Sequence, residues 1–516
     1  MGNVRKWAIA VALIGAACTK GNATEPGNSI VGPVDAGPVV DAGPVDAGPT
    51  DAGPADAGPA DAGGIKFGGP GPWPISNVQY SWQDGIQEMP VVGVSTDENQ
   101  NLWVATNAAL YLLRPSDKTF TRFDGHSGLH LPGFPIPKCD DSAGLLNPCP
   151  SGEAAPPGIS EIVGGGAGDG YIGEVFVGYW AYHDWTITDG TEQDQWRHSG
   201  KLDRVRLKAD PSGALSLEVI RFDMVSNNTV QFWHNKSVMR MVYDHFIHPH
   251  ELYVGCDHGV DKISPDKWKP PVGWFLSPEN QQSWMSDHLH PRACFHAHCV
   301  DDSNLRLADW RGLAIDAQGD LWVGGRYAAG KIRYIAENTE WWVTPRNGDK
   351  RPAADPAYGD QYDGNCSGNR PVFCPPLEGD PVNISAVTIA KDGKVWFASG
   401  TLFNEPQDVP YGIASVEGHP FGIHDKFTYY DPVRDVGLSD SDVRDLLALP
   451  DGRLVVAGLH SGLVIWDPVT GAKTPIRAGQ GIPSDRVLRL QLDTMVDPPA
   501  LMVATAGGAA VLRVLP

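Results

Sequence analysis

Hydrophobic and polar positions along the chain repeat one pattern of short segments. An apolar segment is followed by a turn containing Asp or Pro with Gly or Asn, then by a second apolar segment, a Gly and a third segment. Clear copies occupy residues 91–113, 311–332 and 384–400. Apolar runs of strand length between turn residues predict β-strands, and their regular recurrence predicts a repeat architecture. The body of the chain is therefore expected to be all-β.

Seven copies of the pattern can be aligned when weaker matches are included. The others lie at residues 443–466 and 487–512, with weaker copies at 159–180 and 237–263. Side chains alternate between the two faces of a strand, so one position in each second strand is expected to pack against the next sheet. That position is occupied by Trp103, Phe176, Tyr253, Trp322, Trp396, Val455 and Met502.

The turn and second strand of these copies resemble the repeat of regulator-type (two-component regulator) β-propellers, with its core D-x-x-G-x-L-W-[IV]-G-T-x-x-G-[IL]. The resemblance covers most of residues 77–516. It implies a seven-bladed β-propeller of the kind found in sensor ectodomains and other periplasmic proteins. Residues 78–86 resemble the outer strand and exit loop of a blade, whereas residues 502–512 supply only inner strands. The N-terminal strand is therefore expected to complete the last blade and close the ring.

The N-terminus carries the features of an export signal. Arg5 and Lys6 precede an apolar run over residues 7–17, which is shorter than the roughly 20 residues that a membrane-spanning helix needs. Residues 15–18, Gly-Ala-Ala-Cys, resemble a bacterial lipobox. This resemblance implies a signal peptide over residues 1–17, a lipid on Cys18 and a place in the cell envelope, with Thr19 favouring the outer membrane. Cleavage at a nearby Ala without lipidation is the alternative.

A low-complexity tract separates this signal from the predicted propeller. Residues 35–64 repeat Asp-Ala-Gly-Pro units, which cannot bury enough apolar area to fold, so residues 18–72 are expected to be a disordered linker before a propeller over 73–516. The chain has a formal charge of −22, and its first 64 residues hold seven acidic and three basic residues, which leaves −18 for the remainder. Such a charge excludes nucleic acid as an expected partner.

Several predicted connections are longer than a plain propeller needs. Connections from an outer strand to the next blade are expected at residues 124–158, 223–236, 270–308 and 343–382, and connections from a second to a third strand at 179–200 and 400–410. In a propeller both kinds emerge on one face. Long loops on a rigid scaffold commonly carry function, so this face is the predicted binding surface. The alternative is that the insertions only cover a hydrophobic channel mouth.

The cysteines fall in local pairs. An exported protein enters an oxidising compartment, where neighbouring cysteines are expected to form disulfides. The predicted pairs lie in three insertions: Cys139 with Cys149, Cys294 with Cys299, and Cys366 with Cys374. Cys256 falls at the end of a predicted buried strand and is interpreted as a core thiol rather than a ligand or nucleophile.

Histidines and tryptophans concentrate in the insertions. Two His-x-His pairs, His288 with His290 and His296 with His298, each place two imidazoles on one side of an extended segment, which would suit Zn or Cu. The alternative is structural or recognition histidines, because the spacing matches no zinc motif. Other candidates on the same face are His183, His198, His234, His258, Trp180, Trp185, Trp196 and Trp284. Aromatic residues there suit a sugar ring or a peptide, and acidic pairs leave Ca open, so no cofactor is firmly implied.

These features favour a binding module over an enzyme. The chain contains no nucleophile elbow, P-loop, zinc-protease motif or haem attachment motif. The family resemblance implies a sensing or scaffolding role, so we predict an envelope lipoprotein whose insertion-bearing face binds a partner protein or a glycan. The alternative is a Zn- or Cu-dependent lyase, hydrolase or redox enzyme that uses the histidines at 288–298.

Overall fold

A computed structural model describes part of the chain. The described residues are 78–132, 158–166, 168, 170–180, 201–223, 237–256, 260–265, 287–289, 294–295, 298–299, 308–326, 329–332, 339–342, 384–400, 412–416, 428–496 and 498–513. The predicted signal peptide, Cys18 and the Asp-Ala-Gly-Pro linker lie outside these residues and stay predictions.

The strands form antiparallel sheets of four, numbered here in chain order. Sheet I contains β2 (Val91–Thr96), β3 (Leu102–Thr106), β4 (Leu110–Leu113) and β5 (Thr121–Phe123). Sheet II contains β6 (Ile159–Gly164), β7 (Gly173–Tyr179), β8 (Lys201–Ala209) and β9 (Leu215–Asp223). Sheet III contains β10 (Val238–Asp244), β11 (Glu251–Cys256), β12 (Val260–Ile263) and β13 (Asp287–Leu289). A separate hairpin pairs β14 (Cys294–Phe295) with β15 (His298–Cys299).

The second half of the chain continues the same arrangement. Sheet IV contains β16 (Ala308–Ile315), β17 (Leu321–Arg326), β18 (Ala329–Ile332) and β19 (Thr339–Trp342). Sheet V contains β20 (Ile384–Ile389), β21 (Val395–Ser399), β22 (Gly412–Val416) and β23 (Thr428–Tyr430). Sheet VI contains β24 (Val443–Ala448), β25 (Leu454–Gly458), β26 (Leu463–Trp466) and β27 (Lys473–Ile476). Sheet VII contains β28 (Val487–Asp493), β29 (Ala500–Thr505), β30 (Gly508–Arg513) and β1 (Val78–Tyr80).

The sheets are arranged as a β-propeller. The first strand of each sheet packs beside the first strand of the next, from β2 through β6, β10, β16, β20 and β24 to β28, and β28 also packs beside β2. Hydrophobic clusters fill the spaces between neighbouring sheets; in one of them Trp103 of sheet I packs with Ile162 and Val177 of sheet II. The all-β prediction is thus confirmed. Within the described ranges, no helix has the length and apolar character to cross a membrane.

The register of the predicted repeat is preserved in the described strands. The seven residues aligned by sequence, from Trp103 to Met502, all lie in second strands and are at most 2% exposed. Each faces an equivalent residue of the first strand, as in Ser95 opposite Trp103 and Gln491 opposite Met502. The alternation of side chains along a strand therefore predicted the burial of these seven residues correctly. Each of them stands at the same position of its second strand, on the side that packs between two sheets.

The Asp and Trp of the repeat act together at the turn. The Asp97 carboxylate accepts hydrogen bonds from the Trp103 indole at 2.9 Å, from the Glu174 amide at 3.1 Å and from the Asn101 amide at 3.0 Å. Burial raises the pKa of Asp97 to about 6, although these hydrogen bonds act to lower it. In sheet IV, Asp316 accepts from the Trp322 indole at 2.9 Å in the same way. The same hydrogen bond from indole to carboxylate occurs in both turns. It accounts for the six-residue spacing from Asp to Trp in these two copies.

One predicted connection differs from the structure. We expected residues 270–308 to join an outer strand to the next blade. Instead, Asp287–Leu289 forms the fourth strand of sheet III and pairs with residues 260–262. The segment is therefore divided: residues 264–286 join the third strand to the fourth, and residues 290–307 lead to sheet IV. A three-residue strand has too little alternation to be recognised from sequence.

Candidate binding face

Strand direction assigns the long connections to one edge of the sheets. In each antiparallel sheet the second and fourth strands end at the same edge, here called the insertion face, and the first strands end at the opposite edge, the turn face. Between the described strands, seven connections of more than ten residues leave from the insertion face: 124–158, 180–200, 224–237, 290–307, 343–383, 400–411 and 431–442. The turn face carries the connections 264–286 and 417–427, so it is not free of long segments.

A buried polar triad lies where two of the long connections of sheets I and II begin. The His130 imidazole contacts the Asp203 carboxylate through Nδ1, and the His130 backbone N–H donates to the same carboxylate at 3.2 Å. The Tyr179 hydroxyl donates to Asp203 at 2.5 Å. All three side chains are at most 5% exposed. Burying a carboxylate is costly unless it is hydrogen-bonded, and the Tyr179 hydroxyl and the His130 backbone N–H supply hydrogen bonds to Asp203.

The triad is positioned by strand ends and a helical turn. Tyr179 is the last residue of β7, and Asp203 lies near the start of β8. His130 follows the short 3₁₀ turn Gly125–Ser127, which is capped by Asp124 at its start and by Gly128 at its end. The half-buried Trp180 comes next in the chain, and its backbone N–H donates to the Gly158 carbonyl at 3.0 Å. The triad therefore fixes the roots of the connections 124–158 and 180–200.

Removing the tyrosine hydroxyl tests the role of the triad. Tyr179→Phe is expected to lower the free energy of unfolding by about 1–3 kcal/mol, because a buried carboxylate loses a donor. The matched control is Tyr171→Phe, since the Tyr171 hydroxyl donates to the half-exposed Glu218 at 2.7 Å and water can replace it. Urea denaturation followed by far-UV circular dichroism measures both variants. Equal losses of unfolding free energy in the two variants would show that the buried hydrogen bond of Tyr179 contributes no more to stability than the partly exposed one of Tyr171.

A second buried cluster crosses the centre of the propeller. This central charge cluster contains the buried residues Glu161 of β6, Arg240 of β10 and Asp445 of β24, together with Arg489 of β28, whose side chain is 14% exposed. Arg489 approaches Glu161 at 2.6 Å and donates to the Met239 carbonyl at 2.9 Å, while Arg240 contacts Asp445 at 2.8 Å. The side chains thus join sheet VII to sheets II and III, and sheet III to sheet VI.

Burial and neighbouring charge act in opposite directions within this cluster. Burial raises the pKa of Glu161, and the guanidinium groups of Arg489 and Arg240 offset that effect only in part. The carboxylates of Asp445 and Glu161 outweigh burial at Arg240 and raise its pKa. At Arg489 burial prevails and the pKa is lowered. Side chains from four sheets thus meet at the centre of the propeller.

Sequence reasoning missed the central charge cluster although its signal was present. In each sheet a register shift interrupts the pairing of the first two strands, and the residue after it occupies an equivalent position. That position holds Gly93, Glu161, Arg240, Gly312, Ala386, Asp445 and Arg489. Four charged residues of both signs at one repeat position of the first strands indicate mutual pairing at the centre.

Most residues predicted for the binding face lie outside the described residues. These are Cys139, Cys149, Cys366, Cys374, His183, His198, His234, His258, His290, His296, Trp185, Trp196 and Trp284. For four others the backbone is described: Cys294 lies opposite Cys299 in the β14–β15 hairpin, His298 lies opposite Phe295, and His288 lies opposite Asp261. The three disulfides and the metal ligands therefore stay predictions. Cys256 is buried in the core cluster between sheets II and III.

Metal ligands do not converge in the part of the chain with described side chains. No group of three or more His, Cys, Asp or Glu residues there is arranged to hold a metal ion. The side chains of His288, His290, His296 and His298 are not among those described. The hypothesis of a Zn, Cu or Ca site consequently rests on sequence spacing alone.

Comparisons with known proteins are consistent with the propeller fold of this chain and assign the chain to no family. No protein-family model matches the chain. No curated protein matches it either. Among solved structures, the chain is similar to the extracellular domain of a protein described as a hybrid two-component system from B. thetaiotaomicron, with 10% identity and a TM-score of 0.45 over 84% of this chain and 41% of that one. The chain thus spans less than half the length of that structure.

Two other solved structures show a comparable similarity. A chain of the mitotic checkpoint complex has 11% identity and a TM-score of 0.43, covering 92% of this chain and 99% of that one. YCF48 from Cyanidioschyzon merolae has 9% identity and a TM-score of 0.41, covering 83% and 95%. Similarities at this level do not bear on function.

Proposed function

We propose that this protein is a non-enzymatic binding module of the bacterial cell envelope. In this proposal a lipid on Cys18 anchors the chain, and the Asp-Ala-Gly-Pro tract acts as a spacer. The propeller binds a partner protein or a glycan through its insertion face, in a sensing or scaffolding role. The outer membrane is the proposed location, as the residue after Cys18 is Thr19.

We also propose that the propeller has seven blades and is closed by its N-terminal strand. Two observations support this. The first strands of sheets I to VII contact one another in cyclic order, with β28 beside β2. The strand β1 pairs antiparallel with β30, with Val78 opposite Val511 and Tyr80 opposite Ala509, which supplies the fourth strand of sheet VII. Pairing of the chain ends removes two exposed sheet edges.

The observation that carries the binding proposal is the shared origin of seven long connections on the insertion face. Strand direction fixes this origin independently of the conformation of the connections. The buried triad of His130, Asp203 and Tyr179 holds the roots of two of them. Loops whose ends are held rigidly lose less conformational entropy when they bind a ligand. A rigid scaffold therefore favours recognition by its loops.

Replacement of a connection on each face tests the proposal. In one variant residues 181–199 are replaced by a Gly-Ser linker, and in the matched control residues 418–426 on the turn face are replaced in the same way. The full chain and both variants are immobilised and exposed to a glycan array and to solubilised bacterial envelope proteins. We expect a saturable ligand of the full chain and of the control that the insertion-face variant loses. Loss in the control alone, or no saturable ligand for any form, would contradict the proposal.

A further inference from the structure

Strand β9 forms a long outer edge of sheet II. It pairs with β8 over all of its 9 residues, without a register shift. It is the last strand in the order β6-β7-β8-β9, and no described strand pairs with its other side. The turn that precedes it, residues 209–214, is exposed to solvent. A strand of this length with one unpaired side offers a row of backbone groups to another strand.

The free backbone groups of β9 belong to alternate residues. The Leu207 carbonyl oxygen of β8 accepts a hydrogen bond from the backbone N–H of Ile172 at 2.8 Å, on the side away from β9. Leu207 lies opposite Leu217, so these two form a non-hydrogen-bonded pair, and the N–H and C=O of Leu217 point away from β8. Alternation along the strand gives Leu215 and Val219 the same direction. These three residues therefore present their backbone donors and acceptors at the free edge.

The two faces beside this edge differ in character. The side chains of the same three residues are partly buried, and they pack against the core between sheets I and II. On the opposite face, the Glu218 carboxylate pairs with Arg206 and with Lys208. A strand added to the edge must therefore continue an apolar face at every second residue, while its other face meets charges that are already paired.

The other fourth strands of the propeller are less suited to such pairing. Strands β1, β5, β13 and β23 have 3 residues each, and β19 and β27 have 4. Strand β27 also contains Pro475, which has no N–H to donate. Short edge strands and proline at an edge are common means by which sheets avoid pairing with other molecules. Among the described fourth strands, β9 is the one that is neither short nor interrupted by proline.

The charge of the β8–β9 hairpin suits a second copy of the same chain. Two copies that each carry a formal charge of −22 repel one another. Residues 201–223, however, contain five basic and four acidic residues, which gives this hairpin a charge of +1. Repulsion between two copies is therefore weaker where their hairpins meet. The apolar alternation that an added strand needs is also the alternation of β9 itself.

We propose that two copies of the chain form a dimer by antiparallel pairing of their β9 strands about a twofold axis at Leu217. In this register Leu217 lies opposite Leu217 of the second copy, and Leu215 lies opposite its Val219. The three pairs exchange about six hydrogen bonds, because each hydrogen-bonded pair of an antiparallel ladder makes two. A twofold axis perpendicular to the sheet keeps the apolar faces together. This dimer does not depend on the proposed binding through the insertion face.

Sedimentation equilibrium of the full chain tests the dimer. The parent chain carries Cys18→Ser, so that no acyl group can associate the copies. It is measured from about 1 to about 100 µM, a range that suits a small interface. We expect a monomer–dimer equilibrium in this range. Leu217→Lys and Leu217→Glu are each expected to weaken dimerisation by about tenfold or more, since either places two like charges directly opposite each other at the axis.

An equimolar mixture of the two Leu217 variants separates a loss of pairing from a loss of folding. Opposite charges then meet at the axis, so the mixture should dimerise more tightly than either variant alone. Val469→Lys is the matched control, because Val469 is 91% exposed between β26 and β27, and this variant should dimerise like the parent. A parent chain that stays monomeric, a Leu217→Lys variant that dimerises as tightly as the parent, or a mixture no tighter than its components would overturn the proposal.

Discussion

Replacing Asp445 with alanine is expected to destabilise the folded protein by about 3–5 kcal/mol, the range for removing one partner of a buried ion pair. Asp445 is fully buried and contacts Arg240 at 2.8 Å. Its carboxylate also accepts from the backbone N–H of Leu490 at 2.8 Å, which ties β24 to β28. Without the carboxylate, the Arg240 guanidinium would stay buried beside Arg489 with one compensating charge fewer.

The measurement is equilibrium unfolding in urea, with Asp451→Ala as the matched control. Asp451 pairs with Arg453 at 2.5 Å in the turn of sheet VI, where both side chains are about a quarter exposed. Exposed pairs contribute about 0–1 kcal/mol, so the control should be nearly neutral. A similar small loss in both variants would show that the central charge cluster is not a buried ionic network in solution.

Gly508→Ala is expected to destabilise the protein by about 2–4 kcal/mol if the N-terminal strand closes the propeller. Gly508 begins β30 with a φ of +143°, and a methyl group there would overlap the carbonyl oxygen of Tyr80 in β1. Relieving the clash requires β1 or the Gly508 backbone to move, and either movement weakens the pairing of β30 with β1. The cost therefore reports on the pairing that we propose as the closure.

Gly471→Ala measures the cost of a positive φ at a position where an added methyl group meets no clash. Gly471 also has a positive φ, +74°, but nothing lies within 4 Å of an added methyl group. Its substitution should cost only the conformational term of about 1–2 kcal/mol. Thermal unfolding of both variants gives the comparison. Equal losses would mean that β1 does not pack against β30 in solution.

The sequence was sufficient to predict the repeat and its register, because both depend on local alternation. Each Trp or other second-strand core residue stands a few positions from a recognisable turn, so its burial follows from the pleat. The pairing of Glu161 with Arg489 joins residues 328 positions apart. Nothing local distinguishes a charged residue that pairs across the centre from one that faces solvent, and only the alignment of all first strands reveals the shared position.

The direction of the strands could be predicted from the sequence, whereas the content of the insertion face could not. Antiparallel pairing determines at which edge each strand ends, but the turn face also carries the long connections 264–286 and 417–427. His130, Asp203 and Tyr179 were not singled out, since each lies in a different segment and none belongs to a recognisable motif. The sequence analysis also did not predict strand β13. This strand forms because β12 offers it a partner, and its own three residues carry no recognisable strand pattern.

The direction of β1 has a consequence for how the propeller would be presented. As the fourth strand of sheet VII, β1 runs from the turn face towards the insertion face, so the chain enters the propeller at the turn-face edge through Val78. Strand β30 runs the opposite way and ends on that same edge at Arg513. The first and last described strands of the propeller therefore begin and end at the edge opposite the one from which the seven long connections leave.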